Sequence, residues 1–181
     1  MNKEIAIDGP AGAGKSTIAK RVAEKLGLIY VDTGAMFRAI ALYMTGKCVK
    51  SNETDKVKEE LNNIRLDIVY ENGEQQIILN DENVSRLIRN PEISKAASSF
   101  AQVPEVRERL LILQRELADK RPVVMDGRDI GTKVLPTASV KIFLTADVKV
   151  RAERRYKELA EKGEKVNLED IMSDIKSRDE Q

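Results

Sequence analysis

The residues from Gly9 to Ser16 have the types and the spacing that bind phosphate groups. They follow the pattern G-x-x-x-x-G-K-[ST], in which glycines let backbone N–H groups converge on phosphate oxygens. The lysine reaches the outer phosphates, and the hydroxyl can bind Mg²⁺. The pattern therefore predicts a nucleoside triphosphate site with Ser16 as metal ligand, formed by Gly9, Pro10, Ala11, Gly12, Ala13, Gly14, Lys15, Ser16 and Thr17.

The segments on either side of this loop predict the elements that hold it. The apolar run Ile5–Ile7 predicts a strand, and apolar residues at every fourth position from Ile18 to Leu26 predict a helix. A second strand over residues 28–31 and a second helix over about residues 35–44 follow. This β-α-β-α order predicts a parallel sheet with flanking helices.

Two further polar segments follow apolar strands. "DTGAMFR" carries Thr33 and Arg38, and "MDGRDIG" carries Asp126, Arg128 and Asp129. Open α/β sheets bind their ligands at the carboxyl ends of the strands. We therefore expect these side chains to face a second substrate beside the phosphate-binding loop.

The composition removes several classes of chemistry. The chain of 181 residues has no histidine, which excludes Ser-His-Asp hydrolysis and histidine-based zinc sites. Its single cysteine, Cys48, forms no internal disulfide, and we expect it to be a small apolar residue at a helix end. The net charge of +1 argues against nucleic acid as a partner. No apolar run reaches membrane-spanning length and the N-terminus carries no apolar signal region, so we expect a cytoplasmic protein.

The motifs around the nucleotide also narrow the function. The guanine-specific motif N-K-x-D of GTPases does not occur in the sequence. A motor would require several further nucleotide-binding elements, for which a chain of 181 residues has little room. A kinase acting on a small molecule is left as the main hypothesis.

The middle of the chain departs from the α/β alternation. A polar helix with apolar positions from Val57 to Ile64 is followed by two strand-like runs with Asn72-Gly73 near the turn. We interpret this hairpin as an antiparallel insertion. Two helices that begin at Pro91 and Pro104 come next, and the alternation then resumes with strands in "PVVMDG" and "VKIFLTA" and two helices.

Six features in this order resemble the bacterial cytidylate kinases, which phosphorylate CMP and dCMP with ATP. They are GPAGAGKST, DTGAMFR, the hairpin insertion, KAASSFAQVPEVRERLLILQR, DGRDIGTKVLP and IKSRD, and they run along essentially the whole chain. The resemblance implies the P-loop nucleoside monophosphate kinase fold, an α/β fold with a parallel sheet core flanked by helices, a small antiparallel β insertion and a short helical lid. It implies one domain over residues 1–181, with a core at about 1–60 and 120–147, an insertion at about 61–119, and the lid and last helix at about 148–181.

The resemblance also implies individual roles. The residues implied for CMP are Thr33, Arg38, Ser98, Arg107, Arg128, Asp129 and Arg178. Arg151 and Arg155 are implied as lid contacts to ATP, and the implied catalytic residues are Lys15, Arg128 and Arg154. Asp129 can accept a hydrogen bond from the amino group of cytosine, whereas uracil would direct a carbonyl oxygen at the carboxylate.

Two alternatives remain open on the sequence alone. One is a kinase for another acceptor such as AMP, UMP or a hydroxyl compound, for which Asp8, Asp126 or Asp129 could act as the base. The other is a nucleotide-binding protein without catalysis. In the family, the last helix normally continues beyond the positions of Arg178 and Asp179 with another aspartate and arginine, followed by a strand that covers one sheet edge. The sequence is thus either a fragment or a short member, and we expect a monomer with an uncovered edge strand, with Mg²⁺ and ATP as cofactor and donor.

Overall fold

The computed structural model describes residues 3–71, 73–161, 163–164 and 166–180. In chain order its elements are β1 (Glu4–Asp8), α1 (Lys15–Leu26), β2 (Ile29–Asp32), α2 (Thr33–Gly46), α3 (Thr54–Leu61), β3 (Leu66–Glu71), β4 (Glu74–Leu79), β5 (Glu82–Asn83), α4 (Pro91–Phe100), α5 (Pro104–Lys120), β6 (Val123–Gly127), β7 (Val140–Phe143), α6 (Val148–Glu161) and α7 (Leu168–Asp179). A short 3₁₀ helix at Leu87–Arg89 and a π-helix at Ile130–Val134 complete them.

A four-stranded parallel sheet forms the centre of the molecule, in the strand order β2-β6-β1-β7. Ile7 and Val124 pack against Ala19 of α1 on one face of the sheet, while Val31 and Met125 belong to the apolar cluster on the other face. Strands that are buried on both faces require helices on both sides. The α/β architecture predicted from the sequence is confirmed.

A separate three-stranded antiparallel sheet, β3-β4-β5, follows α3. Ile77 of β4 is buried with Met36 and Ile40 of α2 and with Phe100 and Leu110 from α4 and α5. This packing confirms the antiparallel insertion, although Asn72 of the predicted turn lies outside the described residues. The division of the chain into a core, an insertion and a lid at the stated boundaries stays a prediction.

Side chains join this insertion to the parallel sheet. The Gln75 side chain accepts a hydrogen bond from the backbone N–H of Asp32 at 2.7 Å and donates to the carbonyl of Asp32 at 3.4 Å. The Tyr70 hydroxyl donates to the carbonyl of Tyr30 at 3.0 Å. Because β2 is an edge strand, these bonds satisfy backbone groups that a neighbouring strand would otherwise satisfy. The insertion is thereby fixed to the strand that leads into α2.

One local prediction was wrong in detail. Helix α3 ends at Leu61, and Ile64 is buried in the following turn rather than on the helix. Cys48 lies at the C-terminal end of α2 as expected, directly after the capping residue, and is exposed with a φ of 56°. The segment after "MDGRD" forms the π-helix, which the sequence pattern did not predict.

The C-terminal helices α6 and α7 pack on each other through Ala152, Leu159, Ile171 and Ile175. Strand β7 lies at the other edge of the parallel sheet, and its Phe143 is exposed. None of the helices in the described part of the chain is long and apolar enough to cross a membrane.

Gly9 provides a stability test of the fold, because the loop passes very close to the residue after β7. A Cβ atom at Gly9 would lie 1.9 Å from the carbonyl oxygen of Leu144, and the φ of Gly9 is 146°. Gly9→Ala should lower the free energy of unfolding in urea by about 3 kcal/mol or more, from strain and overpacking together. Gly27→Ala is the control, because Gly27 also has a positive φ of 64° but no atom within 4 Å of the added Cβ. Equal losses in both variants would contradict the steric argument.

Candidate active site

The phosphate-binding loop connects β1 to α1 with backbone conformations that suit glycine. Gly12 has a φ of 75° and Gly14 a φ of 94°, both in the left-handed region. Gly14 occupies the N-cap position of α1 and has no side chain, so the N–H groups of the first turn are left for an anion. The structure thus places the predicted loop at a helix N-terminus.

Lys15 crosses the mouth of this loop. Its Nζ donates to the carbonyl oxygen of Pro10 at 2.9 Å. Burial lowers the pKa of Lys15, and the Asp126 carboxylate acts in the opposite direction. A partly desolvated ammonium held by one carbonyl is well prepared to exchange that contact for phosphate oxygens.

A buried carboxylate lies next to the predicted metal ligand. The Ser16 hydroxyl donates to Asp126 at 2.6 Å, and the Tyr30 hydroxyl donates to the other oxygen of Asp126 at 3.3 Å. Burial raises the pKa of Asp126 to about 6, and the Asp32 carboxylate adds to this effect. A bound cation would therefore stabilise the ionised form of Asp126.

This pair of oxygen ligands fits Mg²⁺. Among the described residues no cluster of three or more Asp, Glu, Cys or His side chains could hold a metal by itself. Mg²⁺ in nucleotide sites is usually bound by one or two protein oxygens, by water and by the phosphates of the substrate. Ser16 and Asp126 supply that kind of site beside the loop.

The side predicted for the acceptor begins where β2 ends. The Thr33 hydroxyl is buried and donates to the carbonyl oxygen of Asp126 at 2.7 Å. Asp32 caps α2 by accepting from the N–H of Ala35 at 2.9 Å, and its other oxygen pairs with Arg38 at 3.0 Å. Thr33 and Arg38 are thereby oriented by the same strand end.

The residues predicted to contact cytosine come from three elements. Arg107 of α5 forms an ion pair with Asp129, and its other nitrogen donates to the carbonyl oxygen of Ala101 at 3.2 Å. Ser98 of α4 donates to the carbonyl of Ser94 at 3.4 Å. The structure brings Arg107 and Asp129 together, while the hydroxyl of Ser98 is directed along its own helix.

Several arginines converge where phosphates are expected. Arg128 donates to the carbonyl oxygen of Arg178 at 3.1 Å. Burial lowers the pKa of Arg178, and the positive charges of Arg128, Arg155 and Arg38 lower it further, with Asp174 opposing them. Among the described residues, the Nε atoms of Arg178 and Arg38 are buried without a hydrogen-bond partner. Cations held together in this way form a site for anions.

The three lid arginines have different surroundings. A Cβ atom at Gly14 would lie 3.9 Å from Nη1 of Arg154, so Arg154 reaches the phosphate-binding loop. Arg155 pairs with Glu158 at 2.9 Å. Arg151 is buried and donates from Nε, Nη1 and Nη2 to oxygens of the protein. The predicted contacts of all three with ATP stay predictions.

The structure adds residues that the sequence reasoning did not place correctly. Both carboxylate oxygens of Asp8 accept backbone N–H groups, from Ile130 at 2.7 Å and from Gly131 at 2.8 Å. Asp8 therefore anchors the π-helix, and its geometry gives no support to a role as base. Tyr30 was read only as part of a strand. Asp179 in the motif IKSRD was given no role, although an acid in the last turn of a helix is locally unfavourable and so indicates a partner.

Comparison with known proteins finds cytidylate kinases that are similar to this chain over nearly its whole length. The cytidylate kinase family model matches residues 5–181. A cytidylate kinase of Caldicellulosiruptor saccharolyticus is 51% identical over 175 residues, covering 97% of this chain and 77% of that protein. A cytidylate kinase of Clostridium perfringens is 51% identical over 181 residues, covering 99% and 82% respectively. One from Lactobacillus gasseri is 47% identical over 176 residues, covering 97% and 76%.

Asp126→Asn tests the electrostatics of the buried carboxylate. The pKa of Asp126 rises from 3.8 to about 6 on folding, so the folded state keeps a proton that the unfolded chain loses between these pH values. This stabilisation is complete below about pH 4 and is lost as the pH rises through 6. The neutral asparagine should therefore raise the free energy of unfolding at pH 7 by about 3 kcal/mol and change it little at pH 4.

The measurement is urea unfolding of both proteins at the two pH values, with a chelator present so that no divalent cation stabilises the carboxylate. An equal gain at pH 4 and pH 7 would show that the shape of the side chain, rather than its charge, is responsible.

Proposed function

The chain belongs to the cytidylate kinase family, and we propose that it transfers the γ-phosphoryl group of ATP to CMP or dCMP, giving ADP and CDP or dCDP. It has the P-loop nucleoside monophosphate kinase fold. The observation that carries the proposal is the position of Arg178: its carbonyl oxygen accepts from Arg128 at 3.1 Å, and the charges of Arg128, Arg155 and Arg38 act with burial to lower its pKa. Positive charges from both sides of the expected transfer thus meet in one place next to the phosphate-binding loop.

The acceptor phosphate is bound by four side chains in this proposal: Thr33, Arg38, Arg128 and Arg178. Arginines bind phosphate oxygens with two parallel hydrogen bonds and so fix orientation as well as charge. The attacking oxygen is already anionic near neutral pH, so the reaction requires no strong general base. A site without histidine is sufficient for this acceptor.

The cytosine base is recognised by Asp129 together with Ser98 and Arg107. Asp129 accepts from the exocyclic amino group, while Arg107 orients the carboxylate through their ion pair. A uracil base presents an oxygen at the same point, which leaves an unpaired and repelled carboxylate. The preference for cytosine over uracil therefore follows from the Asp129 side chain and its partner Arg107.

The donor phosphates are held by the N–H groups of the loop from Gly9 to Thr17 and by Lys15, with Arg154 and Arg155 on the lid side and Arg151 acting through the Ala11 carbonyl of the loop. Mg²⁺, when bound at Ser16 with Asp126 nearby, neutralises charge on the phosphate oxygens. The bond from the γ-phosphorus to the β-phosphate oxygen breaks as the bond to the oxygen of CMP forms. Lys15, Arg128 and Arg154 stabilise the charge that is spread over the transferring group.

We also propose that the protein acts on free nucleotides as a cytoplasmic monomer. The support for this is indirect: the net charge of +1 favours no polyanionic partner, and ATP and CMP are cytoplasmic metabolites.

The direct test of the function is consumption of Mg-ATP with CMP, dCMP, UMP and AMP as acceptors under identical conditions. We expect CMP and dCMP to be phosphorylated preferentially. Preferential turnover of AMP, or of none of the four by a protein shown to be folded, would refute the proposal.

Asp129→Asn tests how the base is recognised. The amide can donate a hydrogen bond to the uracil carbonyl, so the preference in kcat/KM for CMP over UMP should fall by about 100-fold. The change should come from slower use of CMP and faster use of UMP, measured with both acceptors at saturating ATP. Glu108→Gln is the matched control, because Glu108 is an exposed acid next to Arg107 on α5. An unchanged preference in the Asp129 variant would remove this residue from base recognition.

A further inference from the structure

Arg151 is a buried cation at the point where three parts of the chain meet. Its side chain is 4% exposed, and it donates to the carbonyl oxygens of Ala146 at 2.9 Å and of Ala11 at 3.1 Å. Its Nη2 donates to the Asp179 carboxylate at 2.5 Å. A guanidinium cannot lose its proton, so its burial requires a compensating anion. Asp179 supplies that anion from the last turn of α7.

The contact with Ala11 determines how the phosphate-binding loop is presented. In a planar trans peptide the C=O of Ala11 and the N–H of Gly12 point in opposite directions. Holding the carbonyl of Ala11 toward Arg151 therefore turns the N–H of Gly12 away from Arg151. Gly12 packs directly on this side chain, because a Cβ atom there would lie 3.3 Å from Cβ of Arg151. Arg151 thus forms the support on which this part of the loop lies.

The position of Asp179 is unfavourable unless it has this partner. It is the last residue of α7, where the negative end of the helix dipole repels a carboxylate. Its side chain is nevertheless only 23% exposed and is directed at Arg151. The preceding residue, Arg178, accepts a hydrogen bond from Arg128 through its carbonyl oxygen. The last turn of α7 therefore contacts both Arg151, which supports the phosphate-binding loop, and Arg128, which is predicted to bind the acceptor phosphate.

We propose that Asp179 is a positioning residue for the donor site. Asp179 compensates the buried charge of Arg151 and so keeps the Arg151 side chain on the Ala11 carbonyl. This contact orients the Gly12 N–H toward the phosphates of ATP. The proposal rests on the proposed function only in taking the loop from Gly9 to Thr17 as the ATP site. It assigns to Arg151 an action on ATP through the backbone of the loop.

Binding of Mg-ATP in the absence of acceptor tests this role without depending on turnover. In Asp179→Asn, calorimetric titration should show ATP affinity weakened by about 10-fold, because the buried guanidinium loses its compensating negative charge. The affinity for CMP should change by less than about 2-fold, within the range of an uninvolved surface substitution. Asp179→Glu should restore most of the ATP affinity, and Glu180→Gln, the same charge change one residue further on, should leave it unchanged. An ATP affinity in Asp179→Asn equal to that of the wild type would overturn the proposal.

A double-mutant cycle with Arg151→Met tests whether Asp179 acts through Arg151. The double variant should bind ATP no more weakly than Arg151→Met alone, whereas additive losses would overturn the proposal. If Arg151→Met does not fold, the NMR chemical shift of the Gly12 amide, measured in variants that do fold, reports whether Asp179 affects the loop. It should change in Asp179→Asn and not in Glu180→Gln, and an unchanged resonance in both would overturn the proposal.

These measurements separate the two hypotheses. ATP binding by the wild type without transfer to CMP would refute the proposed function and leave the effect of Asp179 measurable. Failure of the wild type to bind ATP would refute both.

Discussion

Crowding of carboxylates at one end of the parallel sheet is the constraint on which the site depends. Asp8 and Asp32 are the last residues of β1 and β2, Asp126 is the next-to-last residue of β6, and Asp32 and Asp126 are direct neighbours across the β2–β6 ladder. Asp8 is compensated by two backbone N–H groups, and Asp32 by Arg38 and a helix cap. Asp126 accepts hydrogen bonds from two hydroxyl groups among the described residues, and burial together with the Asp32 carboxylate raises its pKa to about 6. The carboxylates at this end of the sheet therefore favour the binding of a cation beside the phosphate-binding loop.

The opposite imbalance exists at Arg178, where burial and the positive charges of Arg128, Arg155 and Arg38 disfavour the charged form and lower the pKa of this arginine. Both imbalances reduce the stability of the empty protein, and nucleotide phosphates with a divalent cation would relieve both. A site that is electrostatically unsatisfied when empty binds its charged ligands with less reorganisation. The same feature links the stability of the fold to occupancy of the site.

The parts of this arrangement that could be predicted are those fixed by local geometry. The glycine spacing of the loop, the strand ends at Asp32 and Asp126, and the helix starts at Pro91 and Pro104 follow from backbone rules that act within a few residues. The family resemblance supplied the individual roles. Whether each of them contacts its nucleotide stays a prediction.

The parts that could not be predicted are contacts between residues distant in sequence. Nothing in the local pattern pairs Arg151 with Asp179, or Gln75 with the backbone of Asp32. The π-helix after Asp129 depends on Asp8 accepting its first N–H groups from 122 and 123 residues away, and no periodicity records that. Arg151 is instructive, since a charged residue on a basic helix is usually solvated, yet here it is nearly inaccessible.

The side-chain attachment of the insertion makes the two borders of the parallel sheet unequal. Gln75 and Tyr70 occupy the backbone groups of β2, so that border offers few free donors and acceptors to another strand. The border at β7 carries exposed Val140, Ile142 and Phe143. An extended segment that pairs with this sheet would therefore meet free backbone groups and apolar side chains at β7 rather than at β2.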